Sequence, residues 1–277
     1  MPQDLVDFLQ NHHLAFLLWV GCIGLMIGSF LNVVIYRVPI MLQQQWNSEQ
    51  STLNLFKPRS FCPHCQTMIP ARHNLPIFSF ILLRGQSHCC NKSIAIRYPL
   101  IEIMTFMLSI FIANHFGVST QTLAALIFIW TLLALSVIDL DHQILPDNIT
   151  LPLIWAGLLL NIFQVFVAPT DAIIGATVGY CVFWSIATVF KKIRGIDGMG
   201  LGDAKLLAAM GAWLGWQSLP LIILLAATGG AIIGISYNFI TQRGQHEPIP
   251  FGPFIAGASI VTMLWGQPLT AWYLQWH

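Results

Sequence analysis

Between Arg97 and Lys191 the chain carries no lysine or arginine, and most of that stretch is apolar. Soluble domains are about a quarter charged, so a water-facing surface cannot be built from such a sequence. Over the full 277 residues only 8% are charged and 56% are hydrophobic, with a mean hydropathy of +0.71. The chain therefore reads as an integral membrane protein. Its net charge of +1 gives no sign of a nucleic-acid partner; the partner that composition does require is membrane lipid.

Windows of about 20 residues give roughly eight apolar segments, near 14–36, 98–116, 120–140, 149–168, 171–190, 204–216, 218–240 and 251–275. The expected fold is an all-α polytopic membrane protein of about eight transmembrane helices. A small polar insertion lies between the first and second. The expected division is a first transmembrane helix over 1–37, a cysteine-containing domain over 38–97 and a transmembrane domain over 98–277.

The basic residues fix an expected orientation. Arg37, Lys57, Arg59, Arg72, Arg84, Lys92 and Arg97 lie between the first two segments. Lys191, Lys192, Arg194 and Lys205 flank the gap between the fifth and sixth, and Arg243 lies between the seventh and eighth. With eight spans all these loops share one side, which the positive-inside rule assigns to the cytoplasm. Both termini then face outward. Asp4 and Asp7 precede the first apolar run, where a secretory signal would be basic, so that run is expected to be a retained helix.

Against this apolar background two carboxylates stand out. Asp139 closes the third segment in SVIDLDHQILPD, and Asp203 opens the sixth in GMGLGDAKLLAAMG. Charge at the edge of a bilayer is costly and is seldom kept without use. The topology brings both to the cytoplasmic boundary, as an aspartyl dyad requires. One carboxylate activates water and the other, protonated, polarises the carbonyl, because two close acids cannot both ionise. Gly200 and Gly202 beside Asp203 would let backbone approach closely. The plainer alternatives are helix-end anions: Asp203 as a cap on the positive end of the macrodipole, Asp139 as an interfacial charge.

Other acids near that face have simpler roles. Asp147 is expected as the N-cap of the fourth segment, Asp141 and His142 as solvated loop residues, and Asp197 as a turn former. Glu247 lies near the same face. Glu102, just inside the second segment, is expected to favour the helix N-terminus. His115 and His277 fall at outward ends.

Cys62-Pro63-His64-Cys65 is half of a zinc site. The second half is irregular: His88-Cys89-Cys90, with Ser87 where a second CxxC would begin. Cys90 with Cys89 or His88 would complete the tetrahedron, giving Cys62, Cys65, Cys89 and Cys90 as the candidate metal ligands. A disulfide is disfavoured in the cytoplasm. Cys22 and Cys181 lie inside spans, where thiols serve as small packing residues. Glycines recur at Gly21, Gly24 and Gly28, at Gly175 and Gly179, and at Gly230 and Gly234, a pattern of close helix contact in lipid.

The stretches GSFLNVVIYRVP (28–39), KPRSFCPHC (57–65), HNLPIFSFILLRG (73–85), IRYPLIE (96–102), IDLDHQILPD (138–147) and GMGLGDAKLLA (198–208) occur in this order along most of the chain. In these the chain resembles the bacterial type IV prepilin peptidases, the leader peptidase/N-methyltransferase family. The resemblance implies a polytopic inner-membrane aspartyl protease of the GxGD type. Such an enzyme removes the basic leader of prepilins and pseudopilins on the cytoplasmic side. Many members then methylate the new N-terminus with S-adenosylmethionine. By motif match the catalytic aspartates fall on Asp139 and Asp203. Family members with a zinc domain carry a second CxxC before the RYP motif, and Ser87 departs from it. No glycine-rich nucleotide loop is visible in residues 38–97, so the sequence does not place a methyl-donor site. Two non-enzymatic classes compete: a transporter using the aspartates as ligands, and a passive assembly factor for pili or secretion. The lack of mid-span carboxylates and the long polar insertion argue against a transporter.

Overall fold

The structure, a computed structural model, describes residues 3–48, 53–62, 64–70, 73–195, 200–241 and 250–274. Arg72, Asp197, Arg243, Glu247 and His277 lie outside the described residues. Ten α-helices are present among them: α1 (Gln3–Asn11), α2 (His13–Trp46), α3 (Phe78–Leu82), α4 (Arg97–Phe116), α5 (Thr120–His142), α6 (Asp147–Ile162), α7 (Pro169–Arg194), α8 (Leu201–Leu214), α9 (Leu219–Thr241) and α10 (Gly252–Leu274). Extended structure among the described residues is limited to two isolated bridges, Phe61 with Met68 and Gln86 with Ser93. Five helical stretches are long and apolar enough to cross a membrane: His13–Trp46, Arg97–Phe116, Thr120–His142, Pro169–Ile193 and Trp216–Ser236. The molecule is an all-helical, multi-pass membrane protein.

The chain divides into two compact units, Met1–Trp130 and Thr131–His277, with the boundary inside α5. In the first unit α2 lies along α4, and glycines set their separation. A β-carbon at Gly24 would meet Ser109 Oγ at 2.5 Å, and one at Gly28 would meet the Glu102 Cα at 2.9 Å. Ser109 and Thr105 answer their own helix by donating to the carbonyls four residues back, at 2.6 and 2.7 Å. Trp130 Nε1 then donates to Ser109 Oγ at 2.9 Å. Small residues and satisfied hydroxyls are what close helix contact in lipid demands.

Helix α2 runs ten residues past the end expected from hydropathy, through Pro39 to Trp46. At 1.5 Å per residue its 34 residues span roughly 51 Å, well beyond a hydrocarbon core of about 30 Å. Proline removes one backbone bond without ending the helix. Arg37 is accordingly no loop charge. It is buried, and donates to the Asn54 carbonyl at 2.7 Å and the Pro58 carbonyl at 2.8 Å, tying the following loop to the helix.

In the second unit α8 is the core. Its residues from Leu206 through Trp213 are buried on every side, as a helix apolar all round must be. At 14 residues it spans roughly 21 Å. It is enclosed by other helices, so it need not match the bilayer. On α7, Gly175 lies against the Gly211 backbone and Gly179 against Leu207. On α6, Gly157 makes room for the Trp213 ring, whose Nε1 donates to the Leu153 carbonyl at 2.8 Å. Asn161, fully buried, donates to the Ala212 and Trp213 carbonyls and accepts from the Phe166 and Val167 amides. It therefore fixes the last turn of α8 to the loop after α6. Gly230 of α9 faces Phe254 at a looser 3.6 Å.

Candidate active site and cysteine cluster

Asp139 occupies the last turn of α5 and is 5% exposed. A buried carboxylate needs donors, and here the backbone supplies one: the Gly252 amide, at the start of α10, donates to Asp139 Oδ2 at 2.9 Å. Asp203 is in the first turn of α8, half-buried and within electrostatic reach of Asp139. Leu145 knits the two together. A β-carbon at Gly202 would meet Leu145 Cβ at 3.0 Å, and one at Gly252 would meet Leu145 Cδ2 at 3.3 Å and Asp139 Oδ2 at 2.6 Å. The two aspartates expected as a pair are thus brought to one place. Glycine on both approaches is what leaves room there.

Neighbouring acids fall out differently from expectation. Asp203 is not a cap: Gly200 holds that position, with no side-chain capping bond. Asp147 is not the N-cap of α6 either. Pro146 takes that place, and Asp147 in the first turn pairs with Lys205 Nζ at 2.6 and 2.7 Å. Lys205 is two residues past Asp203, so this bridge ties α6 to α8, the helix carrying Asp203. Asp141 and His142 are exposed as expected, but they close the last turn of α5 rather than lying in the loop after it. Sequence reasoning passed over Gly252 and Lys205. The signal for the first was Pro253 directly after Gly252, a helix-start pattern that leaves backbone amides free.

In the polar insertion the four sulfurs of Cys62, Cys65, Cys89 and Cys90 all lie within 4.8 Å of one another. Two turns of the same form carry them. In the first, the Cys62 amide donates to the Thr67 carbonyl and the Gln66 amide to the Cys62 carbonyl. In the second, the Ser87 amide donates to Lys92 and the Asn91 amide to Ser87. Gln66 and Asn91 hold matching positive φ of 59° and 53°. Position 87 is therefore the counterpart of Cys62, and Cys90 that of Cys65. Cys89 is the counterpart of His64, recruited from the turn's third position. His88 instead lies against His73, the rings tilted at 44° with centroids 4.3 Å apart.

Ser87 does not leave its place empty. Its hydroxyl lies 3.5 Å from Cys62 Sγ and 3.0 Å from Cys89 Sγ. The Ser87 hydrogen bond, helped by the Cys65 and His64 amides against the opposing effect of burial, brings the Cys62 thiol down to about 5. The four thiols are free. A metal–sulfur bond of about 2.3 Å places tetrahedral sulfurs about 3.8 Å apart. Cys62 and Cys90 sulfurs lie 3.7 Å apart, and those of Cys65 and Cys89 3.1 Å. The donor set fits a thiophilic ion. Cys22 and Cys181, expected to pack, lie on exposed faces of α2 and α7.

Glu102 departs furthest from expectation. Rather than lying free at a helix start it is 8% exposed and accepts from the Ile77 amide at 2.8 Å, with Ser29 as a second partner. It borders a cavity of about 540 Å³.

Residues 22–116 match the bacterial peptidase A24 N-terminal domain, and residues 126–235 match the type IV leader peptidase family. A protein of Stutzerimonas stutzeri is 48% identical over 98% of both chains, and one of Pseudomonas aeruginosa is 45% identical over 98% of both. A third, of Aeromonas hydrophila, is 48% identical over 91% of both. The chain belongs to the type IV leader peptidase family. These three relatives are named prepilin leader peptidase/N-methyltransferase. Asp139 and Asp203 both fall in the segment matching the leader peptidase family, and the cysteine cluster and Glu102 both fall in the N-terminal domain. No solved structure matches the chain.

Proposed function

We propose that this chain is an aspartyl endopeptidase that removes the basic leader from type IV prepilins and pseudopilins, and an N-methyltransferase that then methylates the new N-terminus. The observation that carries the peptidase is the pairing of Asp139 with Asp203 beside two glycines. The near-full-length relatives carry the methyl transfer. In this reading the helices α2 and α4 to α10 are eight spans of the bacterial inner membrane, the basic loops and the dyad face the cytoplasm, and both termini face outward. Residues 1–37 form the first span, 38–97 the cysteine domain and 98–277 the protease domain.

A prepilin carries a basic leader followed by an apolar helix. The helix packs sideways against the spans while the leader remains in water, which places the scissile bond at the boundary where the dyad lies. The ionised carboxylate takes a proton from water as the resulting hydroxide attacks the scissile carbonyl carbon. The protonated partner donates to the carbonyl oxygen, and collapse of the tetrahedral species passes a proton to the departing amine. Glycine at 202 and 252 lets Leu145 and the Asp139 carboxylate pack directly against the backbone. The Gly252 amide holds Asp139 in one orientation.

Cys62, Cys65, Cys89 and Cys90 would hold zinc, which in such a site supplies folding energy. S-adenosylmethionine, when bound, would supply the methyl group that the new N-terminal amine receives.

The test is cleavage of a model prepilin in detergent by wild type, Asp139→Asn and Asp203→Asn, with product masses. Leader removal by wild type alone, with one added methyl group on the product when donor is present, is the expected outcome. Cleavage surviving in either variant refutes the dyad. An unchanged substrate with folded wild type would return the protein to the transporter or assembly-factor class.

A further inference from the structure

The insertion between α2 and α4 exposes apolar surface where a water-facing loop should not. Leu75, Phe78, Ile81 and Leu82 fall close together in sequence, and each is more than half exposed. On a soluble domain a patch so dense marks a binding surface or an aggregation hazard. Ser79 between them is buried, and Phe80 folds back against Gly85. The short helix α3 therefore has one packed face and one open apolar face.

The depth of this segment is set by its bond to α4. The Ile77 amide donates to Glu102 Oε2 at 2.8 Å, and Ser29 of α2 is the carboxylate's other partner. With 20 residues α4 is roughly 30 Å long, and it needs all of them to cross a hydrocarbon core of about 30 Å. Glu102 comes five residues after Arg97, which puts it roughly 7.5 Å below the surface of that core. Helix α2 gives the same depth from the opposite surface. Gly28, against the Glu102 backbone, lies 15 residues past His13, roughly 22 Å along the helix and about 8 Å short of the far side.

A segment held at that depth must satisfy its own backbone, because lipid offers no hydrogen bonds. The Ser79, Ile81, Leu83 and Gly85 amides donate to the Leu75, Ile77, Ser79 and Phe80 carbonyls, and the Leu75 amide donates to Ser79 Oγ. Pro76 has no amide to satisfy, and that of Ile77 is met by Glu102. Arg84 closes the segment with an exposed side chain long enough to reach the headgroups. Phe56 of the same insertion lies nearly parallel to Phe30 of α2, centroids 6.4 Å apart, so the apolar surface continues onto a span. We infer that residues 75–83 form a re-entrant segment seated among the acyl chains at the Arg97 end of α4. Glu102 is then the carboxylate that lets the chain turn inside lipid.

The test places the photoreactive residue p-benzoylphenylalanine at 78, and separately at 82, in the full-length protein. Each variant is reconstituted into vesicles of phosphatidylethanolamine and phosphatidylglycerol and illuminated, and intact mass reports covalent lipid adducts. Met107, more than half exposed on α4, serves as the lipid-facing reference. Trp46, equally exposed and apolar at the projecting end of α2, serves as the reference in water. We expect lipid adducts from 78 and 82 at the level of 107, and none above background from 46. Two positions are probed so that a folding defect at one leaves the other to decide. Adducts from 107 but from neither 78 nor 82 overturn the inference. A protein–protein adduct at 78 also overturns it, by making this face an interface between copies of the chain. Equal labelling at 46 refutes it as well, because apolar residues of this region would then meet lipid regardless of the depth set by Glu102.

Discussion

Replacing Gly252 by alanine tests whether the geometry around Asp139 governs the reaction. The added carbon would lie 2.6 Å from Asp139 Oδ2 and 3.2 Å from its Cγ, with Leu145 Cδ2 at 3.3 Å closing the escape route. The carboxylate must withdraw by about 1 Å, and displacement on that scale costs on the order of 10²-fold in rate. Withdrawal also stretches the 2.9 Å bond from the Gly252 amide beyond use. A hydrogen bond to a charged group contributes about 1.5–3 kcal/mol, or roughly 10- to 150-fold. The two estimates describe one displacement and are not summed. We expect kcat for leader removal to fall about a hundredfold with KM little changed, because the altered group orients a reacting carboxylate and the leader's own contacts are untouched. The assay is steady-state cleavage of a model prepilin in detergent, with thermal unfolding to establish folding. Gly257→Ala, on the same helix with nothing within 4 Å of its new carbon, is the control and should behave as wild type. Both variants cleaving within about threefold of wild type would refute the claim that Gly252 positions Asp139.

Three further outcomes follow from the same structure. The Lys205–Asp147 bridge has side chains 23% and 55% exposed. It is worth no more than about 1 kcal/mol, so Lys205→Met should slow cleavage by about fivefold at most, and a hundredfold loss would mean Lys205 touches the reacting groups. Cys89→Ser should lose bound zinc by metal analysis, and adding Ser87→Cys to it should restore the metal, since position 87 is the turn equivalent of Cys62; full zinc in Cys89→Ser would refute the ligand set. Asn161→Leu leaves two amides and two carbonyls without their partner and should lower stability by about 2 kcal/mol or more, read as a fall in the unfolding midpoint, whereas a wild-type midpoint would show the clamp is idle.

The apolar helices were legible because lipid imposes a blunt requirement on composition. Each expected apolar segment coincides with a helix, most ends agreeing within a few residues. The largest error, at the end of α2, arose from starting the polar insertion at residue 38, where the apolar run ends. Hydropathy reports where a helix leaves the bilayer, not where it stops, and a helix projecting into water retains its backbone bonds. Asp147 misled in the opposite way. Its position after Pro146 and before an apolar run fits an N-cap, but a lysine on another helix offered its carboxylate a better partner. Gly24 and Gly175 were legible as contacts because a missing side chain inside a span has few other uses.

The dyad stood out for the same reason that its support did not. Against a background of 8% charged residues an aspartate at a span boundary is conspicuous. The group that orients it is a backbone amide, and every residue but proline has one. Only the fold decides which of these amides points at a carboxylate. Glu102 shows the complementary limit. Its charge was visible, but burial comes from the loop around Ile77 and from Ser29 one helix away, so position alone made it look like an ordinary helix-end anion. Where a site is made of side chains the sequence names its members; where it is made of backbone donors and enclosed space, only the packed chain does.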